Sequence, residues 1–301
     1  MYRKTKKKCR KSSKMIHSQI TNLIQKLCDS NKGNFSAMVK ELKKQLLPLP
    51  QKDLEEHLLQ AGVIPESYGH DSTEEKLYAK YCDVIVANAF NHLGIHAQVL
   101  EERANAADVS GEVAGKYSIV ADAKAFRMSR TARNQKDFKV GALNLWRGDK
   151  NYASLVGPLY QYLPSRSQIY SQAISFNVAL LSYYHLYFIL KNKSEKPPNL
   201  EPLWNVASLS SQNIDDDAEK YWKAFDTQMC NCLQIELSLW EKTKKKCLSI
   251  LPEQAKIEIA FWITQKTRIK ALTREQAVAE LISALKIDSK IESIKETAGI
   301  T

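Results

Sequence analysis

Tyr117-Ser-Ile-Val-Ala-Asp-Ala-Lys-Ala-Phe126 is the stretch that decides the fold. It is short, rich in apolar and small residues, and bounded by polar turns, which predicts a β-strand. Alternate side chains of a strand share a face. Val120, Asp122, Lys124 and Phe126 therefore lie on one face, and Ile119, Ala121, Ala123 and Ala125 on the other. Both faces are largely apolar, as in a central strand covered on both sides. The expected fold is α/β: a mixed central sheet flanked by helices, with a helical C-terminal part. A carboxylate and an ammonium two residues apart then project side by side from a buried platform. Such groups are costly to bury unless they are paired or bind a metal.

Asp108 lies fourteen residues before Asp122 and next to Val109, where it can end a neighbouring antiparallel strand. Two carboxylates and a lysine recur in sites for metal-assisted phosphodiester hydrolysis. There the acids hold Mg2+ through oxygen, and the lysine positions the attacking water or neutralises developing charge. The competing reading is a structural Asp–Lys pair beside a turn aspartate. The residues that follow bear on the choice. Lys124, Arg127, Arg130, Arg133, Lys136 and Lys139 recur every third position with small polar side chains between them. By itself this is a solvated basic face. Directly after a metal-type strand, with Asn134 and Gln135 inside it, it reads as a DNA-contacting element.

Five segments carry a resemblance: S-T-E-E-K-L-Y-A-K at 72–80, L-E-E-R-A-N-A-A-D-V at 100–109, V-A-D-A-K-A-F-R at 120–127, S-R-T-A-R-N-Q-K-D-F-K-V at 129–140 and S-R-S-Q-I-Y at 165–170. Weaker similarity continues at L-W-N 203–205 and T-R-E-Q-A 273–277. Together they resemble the HindIII restriction endonuclease family of the PD-(D/E)xK nuclease superfamily, although Ala107 stands where the superfamily has proline before its first aspartate. The resemblance implies a type II restriction endonuclease that cuts the palindrome AAGCTT between its two adenines, leaving four-base 5′ overhangs with 5′-phosphates. It implies Mg2+, with Mn2+ able to substitute, held by Asp108 and Asp122 with Glu101 as a third acid, and Lys124 acting on water. It implies that residues 127–139 enter the major groove. Asn134, Lys136 and Asp137 would read base edges and Ala132 a thymine methyl, while Arg127, Arg130, Arg133 and Lys139 would contact phosphates. Double-stranded DNA, a homodimer matching the two-fold site, and a cognate DNA methyltransferase are the expected partners. Two rivals stand beside this reading. One is a repair or recombination nuclease of other specificity; the other is a noncatalytic DNA-binding protein using the basic stripe alone.

The chain has 301 residues and a net charge of +11. Eight of its 44 Lys and Arg fall in residues 1–14 without an acid, leaving +3 for the remainder. Residues 1–14 thus read as a basic disordered tail, 15–190 as a helical N-terminal part plus nuclease core, and 191–301 as a helical C-terminal subdomain. Six cysteines without a CxxC pair are expected as reduced thiols in the cytoplasm. No apolar run is long enough to span a membrane.

Helices are expected over 15–27, 35–47, 51–62, from a Ser72 cap to Gly94, over 138–146, 218–246, 252–270 and 273–285. Ser72/Glu75 and Thr273/Gln276 have capping-box spacing. Further strands are expected at 97–100 and 152–156, and a strand followed by a helix over 178–190. Capping is the preferred role for Glu75. His57 has no metal-spaced partner and reads as a surface histidine. The acids 215–217 read as a cap for the following helix, and Tyr183, Tyr184 and Tyr187 as core or interface.

Overall fold

The computed structural model describes residues 19–100, 106–130 and 135–298. A five-stranded mixed sheet lies at its centre: β1 (His96–Val99), β2 (Val109–Val113), β3 (Tyr117–Ala123), β4 (Tyr152–Gly157) and β5 (Val178–Ser182). Their order in the sheet is their order in the chain. β1, β2 and β3 run antiparallel as a meander, whereas β4 and β5 are parallel to β3. The parallel steps need crossovers. These are supplied by the helix Val140–Trp146 before β4 and the helix Gln168–Ser175 before β5. β3 is the middle strand, and apart from half-buried Ser118 all its residues are buried, as its two apolar faces require. The expected mixed sheet with flanking helices is present.

The helix Thr73–His92 packs against β1, β2 and β3. It is buried along nearly its whole length, with Leu77, Tyr81, Val84, Ile85 and Phe90 in the core. Its start follows the cap signal: Ser72 Oγ accepts the Glu75 N–H at 3.2 Å. The Glu75 carboxylate turns back one residue further than a capping box does and accepts the Asp71 N–H at 2.7 Å. The Thr273–Gln276 box closes in both directions, as its spacing predicts.

Two readings of the chain are corrected. Residues 218–246 are not one helix. The run stops at Leu233 and restarts at Leu237. Gln234 sits in the left-handed region at φ +56°, and Ile235 N–H returns to the Cys230 carbonyl. This is a C-terminal helix stop made without the glycine that normally signals it. His57 is not on the surface. It is buried, and its Nδ1 lies 3.1 Å from Tyr81 Oη. Burial pushes its pKa down to about 4, so it is neutral at physiological pH. Asp217 caps the helix Ala218–Leu233 by accepting from Glu219 and Lys220 N–H, and Tyr183, Tyr184 and Tyr187 are buried, both as expected.

The chain forms two compact units, Met1–Ala255 and Lys256–Thr301. In the first, the sheet and the helices after it share one core. Trp204 Nε1 donates to Tyr117 Oη at 3.1 Å, and Tyr221 Oη accepts from Leu180 N–H at 2.7 Å. The described part of the second contains the later turns of the helix Leu251–Lys270 and the helices Arg274–Ala284 and Ile287–Ala298, the last of which the sequence reading did not foresee. No helix among the described residues is long and apolar enough to cross a membrane.

Candidate active site

The β2–β3 register builds the site. Val109 pairs with Ala121, so the next step of the antiparallel ladder sets Asp108 opposite Asp122. The Asp108 backbone is fixed by its carbonyl, which accepts Leu100 N–H at 2.8 Å and extends the β1–β2 pairing past Val99. Asp122 lies wholly inside, whereas the Asp108 side chain retains about a third of its exposure. One acid is thus internal and the other partly open to solvent.

Lys124 follows the last residue of β3, and three hydrogen bonds hold the chain there in extended form. Its N–H donates to the Val156 carbonyl of β4 at 2.7 Å, and its carbonyl accepts Tyr183 O–H at 2.9 Å. Two residues on, Phe126 N–H donates to the Gly62 carbonyl at 2.9 Å. Gly62 has φ +86°, and a Cβ there would come within 2.5 Å of the Tyr183 ring and 2.7 Å of Pro158. Only glycine permits this approach. With the backbone so held, Lys124 Nζ stands 2.5 Å from Asp122 Oδ2.

Burial is the main force on Asp122, and it raises the carboxyl pKa to about 6. Lys124 opposes the shift, and the neighbouring Asp108 adds to it. Although the Lys124 ammonium is close, neither Asp122 oxygen receives a well-directed hydrogen bond, and both are shut off from solvent. A buried carboxylate left in this state is expensive unless a cation completes it. The donor set is carboxylate oxygen only, which suits a hard divalent ion. The residues at hand therefore fit a metal held by Asp108 and Asp122.

The sequence reading missed two members of the site, Lys80 and Asp83. They stand one turn apart on the helix Thr73–His92. Lys80 Nζ lies 2.9 Å from Asp108 Oδ1 and 3.1 Å from Asp83 Oδ2. Burial pulls the Lys80 pKa down, but Asp83 and Asp108 outweigh it and hold the pKa above the normal lysine value. Asp83 is pushed well up by burial, reinforced by Asp108. A lysine and an aspartate at i, i+3 inside a helix apolar on every side was the available signal.

The basic stretch after β3 is anchored at both ends. Arg127 donates to Glu75 Oε1 at 2.7 Å and to the Tyr68 and Gly69 carbonyls at 3.1 and 3.3 Å. At the far end Phe138 is buried and stacks on Tyr162, with ring centroids 4.9 Å apart. Between them Arg130 pairs with Asp137 and lies over the Phe126 ring. Lys136 and Lys139 are exposed, and Lys139 heads the helix Val140–Trp146. Glu101, Ala132, Arg133 and Asn134 lie outside the described residues, as does the 1–14 tail; Gln135 is placed only by its backbone.

Two other clusters are not active sites. His70, Asp71 and Glu75 form the one group of three candidate ligand atoms within 4.8 Å among the described residues. Glu75, however, is engaged by Arg127 and Asp71 N–H. Ser182, His185 and Asp226 line up like a hydrolase triad, with 2.7 Å from Ser182 Oγ to Nδ1 and 2.9 Å from Nε2 to Asp226 Oδ1. All three are buried, and Ser182 caps the helix Tyr183–Asn192 while its N–H donates to Nδ1. This is a structural network sealed from any substrate.

Comparison with known proteins makes the chain a type II restriction endonuclease, a site-specific deoxyribonuclease whose substrate is DNA. It belongs to the HindIII restriction endonuclease family, whose model matches residues 17–298. It is 34% identical over 287 residues to the type II restriction enzyme HindIII of Haemophilus influenzae, covering 93% of this chain and 95% of that protein. Enzymes of this class generally need a divalent metal.

Proposed function

We propose that the enzyme is Mg2+-dependent and cuts both strands of AAGCTT between the two adenines, leaving 5′-phosphates on four-base 5′ overhangs. Mn2+ would substitute. The observation that carries the chemistry is Asp122: a carboxylate shut off from solvent, opposite Asp108 and 2.5 Å from the Lys124 ammonium. The target is supported by the likeness to a protein named HindIII and by the segment 129–140 quoted above.

In this reading Asp108 and Asp122 hold the metal, with Glu101 as a third acid. The bound ion would polarise the scissile phosphate and stabilise the charge that develops on it. Lys124 sits beside Asp122, where its ammonium positions the attacking water in line with the leaving oxygen. No side-chain nucleophile is required, so hydrolysis is direct. Arg130, Arg133 and Lys139 set the protein on the backbone, and Ala132, Asn134, Lys136 and Asp137 read bases. Arg130 and Asp137 hold each other in the DNA-free protein, and DNA would separate them. Arg127, tied to Glu75 and two carbonyls, anchors the start of the segment, and a phosphate contact would require it to leave those partners. A palindromic target calls for a two-fold homodimer, acting in the cytoplasm beside a cognate methyltransferase.

The test is a digest of DNA of known sequence, with and without Mg2+, by wild type and Asp122→Asn. Discrete fragments ending at AAGCTT, absent without metal and absent in the variant, support the proposal. Discrete ends at another sequence overturn the target and keep the chemistry. Tight duplex binding without cleavage under any divalent metal overturns the chemistry.

A further inference from the structure

We infer that Lys80 is a positioning residue for the metal site: it holds Asp108 by one carboxylate oxygen so that the other is presented alongside Asp122. This rests on the reading of Asp108 and Asp122 as metal ligands. Lys80 and Asp83 sit on the same side of the helix Thr73–His92, which packs on β1, β2 and β3. Both are deeply covered. As a purely structural pair they would be a poor choice, because apolar side chains of similar size commonly stabilise a buried helix face as well or better. Two features set this pair apart. Lys80 reaches past its own helix to Asp108, and that contact, 2.9 Å, is shorter than the 3.1 Å to Asp83. The contact is to Oδ1 of Asp108 alone.

Three carboxylates, Asp83, Asp108 and Asp122, repel one another here. Lys124 serves Asp122, so the ammonium left for Asp83 and Asp108 among the described residues is Lys80. Asp83 in turn fixes Lys80 from the same helix, one turn away. The chain Asp83–Lys80–Asp108 thus runs from a rigid helix to a half-exposed ligand at the entrance to β2. Without it Asp108 has no side-chain partner among the described residues that defines its rotamer, and the repulsion from Asp122 turns it outward. Partners of this kind, which orient a ligand without touching the metal, typically change metal affinity by about 10–100-fold when removed.

The experiment is a Mn2+ titration of the full-length protein, stripped of metal and free of DNA, followed calorimetrically and by the EPR signal of free Mn2+. Wild type, Asp122→Asn, Lys80→Gln and the double variant Lys80→Gln/Asp83→Asn are compared. The double variant removes both charges of the helix pair and guards against misfolding from an unbalanced one. The expected result is a loss of about 10–100-fold in Mn2+ affinity in both Lys80 variants, with circular dichroism and melting that show a folded protein. Affinity equal to or tighter than wild type in a folded Lys80 variant overturns the inference, because Lys80 would then be a structural partner or a competitor of the metal. Failure of the underlying reading looks different: Asp122→Asn would bind Mn2+ as wild type does, or wild type would show no saturable site.

Discussion

The sheet unit and the C-terminal helical unit handle apolar side chains in opposite ways. Among the described residues up to 255, four large apolar residues are exposed, Leu47, Leu145, Phe176 and Leu239. In the described part of the much smaller unit from 256 onward there are eleven: Ile259, Trp262, Ile263, Ile269, Val278, Leu281, Ile282, Leu285, Ile287, Ile291 and Ile294. The helix Arg274–Ala284 buries none of its residues. A sheet covered on both faces makes its own interior. Short helices following one another without a layer to pack on do not, and their order rests on local devices such as the Thr273 cap and the Arg268–Glu280 ion pair. The contrast teaches where the chemistry can live: a carboxylate with the properties of Asp122 exists only where backbone and neighbours seal it from water.

The largest effect expected is at that point. Asp122→Asn should abolish cleavage, by about three decades or more if several kcal/mol of metal stabilisation are lost. The same variant should leave the metal-free protein about as stable as wild type or more so, since burial disfavours the Asp122 charge even beside Lys124. A fall in both activity and melting temperature would make Asp122 a structural residue.

Next comes the contrast itself. Leu155→Ala, in the middle of β4, should lower stability by about 2–5 kcal/mol in urea denaturation. Leu281→Ala, on the exposed face of the C-terminal unit, should change it by no more than about 0.5 kcal/mol. A core-sized loss at Leu281 would break the comparison and show that a second molecule covers that face.

A smaller effect is the pH dependence of the metal-free protein. The Asp122 carboxyl has a folded pKa of about 6 against 3.8 in its ordinary state. The folded form therefore binds this proton more tightly than the unfolded form. Its contribution is full below pH 4 and is lost as pH rises through about 6, on the order of 1–3 kcal/mol. Denaturation of wild type and Asp122→Asn from pH 4 to 7 should show this slope in wild type alone. Metal competes with the same proton, so Mn2+ affinity should climb over the same interval and then level off. The most local effect is Thr273→Ala, which removes the cap of the helix Arg274–Ala284 at about 0.5–2 kcal/mol. Circular dichroism should register partial loss of C-terminal helix with metal affinity unchanged.

Much of the site was legible because its parts lie close together in the chain. The strand Tyr117–Ala123 shows its period and its acid directly, and Lys124 follows by two positions. The cap signals at Ser72 and Thr273 likewise occupy four consecutive residues each. What stayed hidden spans distance. Lys80 reaches Asp108 across 28 positions, and His185 reaches Asp226 across 41. His57 read as a surface residue because it has no metal-spaced partner in the chain, yet it is buried with Leu54 and Leu58 of its own helix. Its partner there, Tyr81, comes from another helix. The break at Gln234 carried no glycine to announce it.

The sequence by itself determined the covered strand with its Asp122 and Lys124, the caps that start two helices, and membership of a nuclease family. All of these are read from contiguous residues whose local periodicity, chemistry or order is sufficient. Only the tertiary structure decided that Asp108 stands opposite Asp122, that Lys80 and Asp83 stand behind it, and that Arg127 is an anchor. Strand register and ion pairing between separate elements depend on how whole faces pack, and a one-residue slip in the β2–β3 ladder would send one of the two acids to the other side of the sheet.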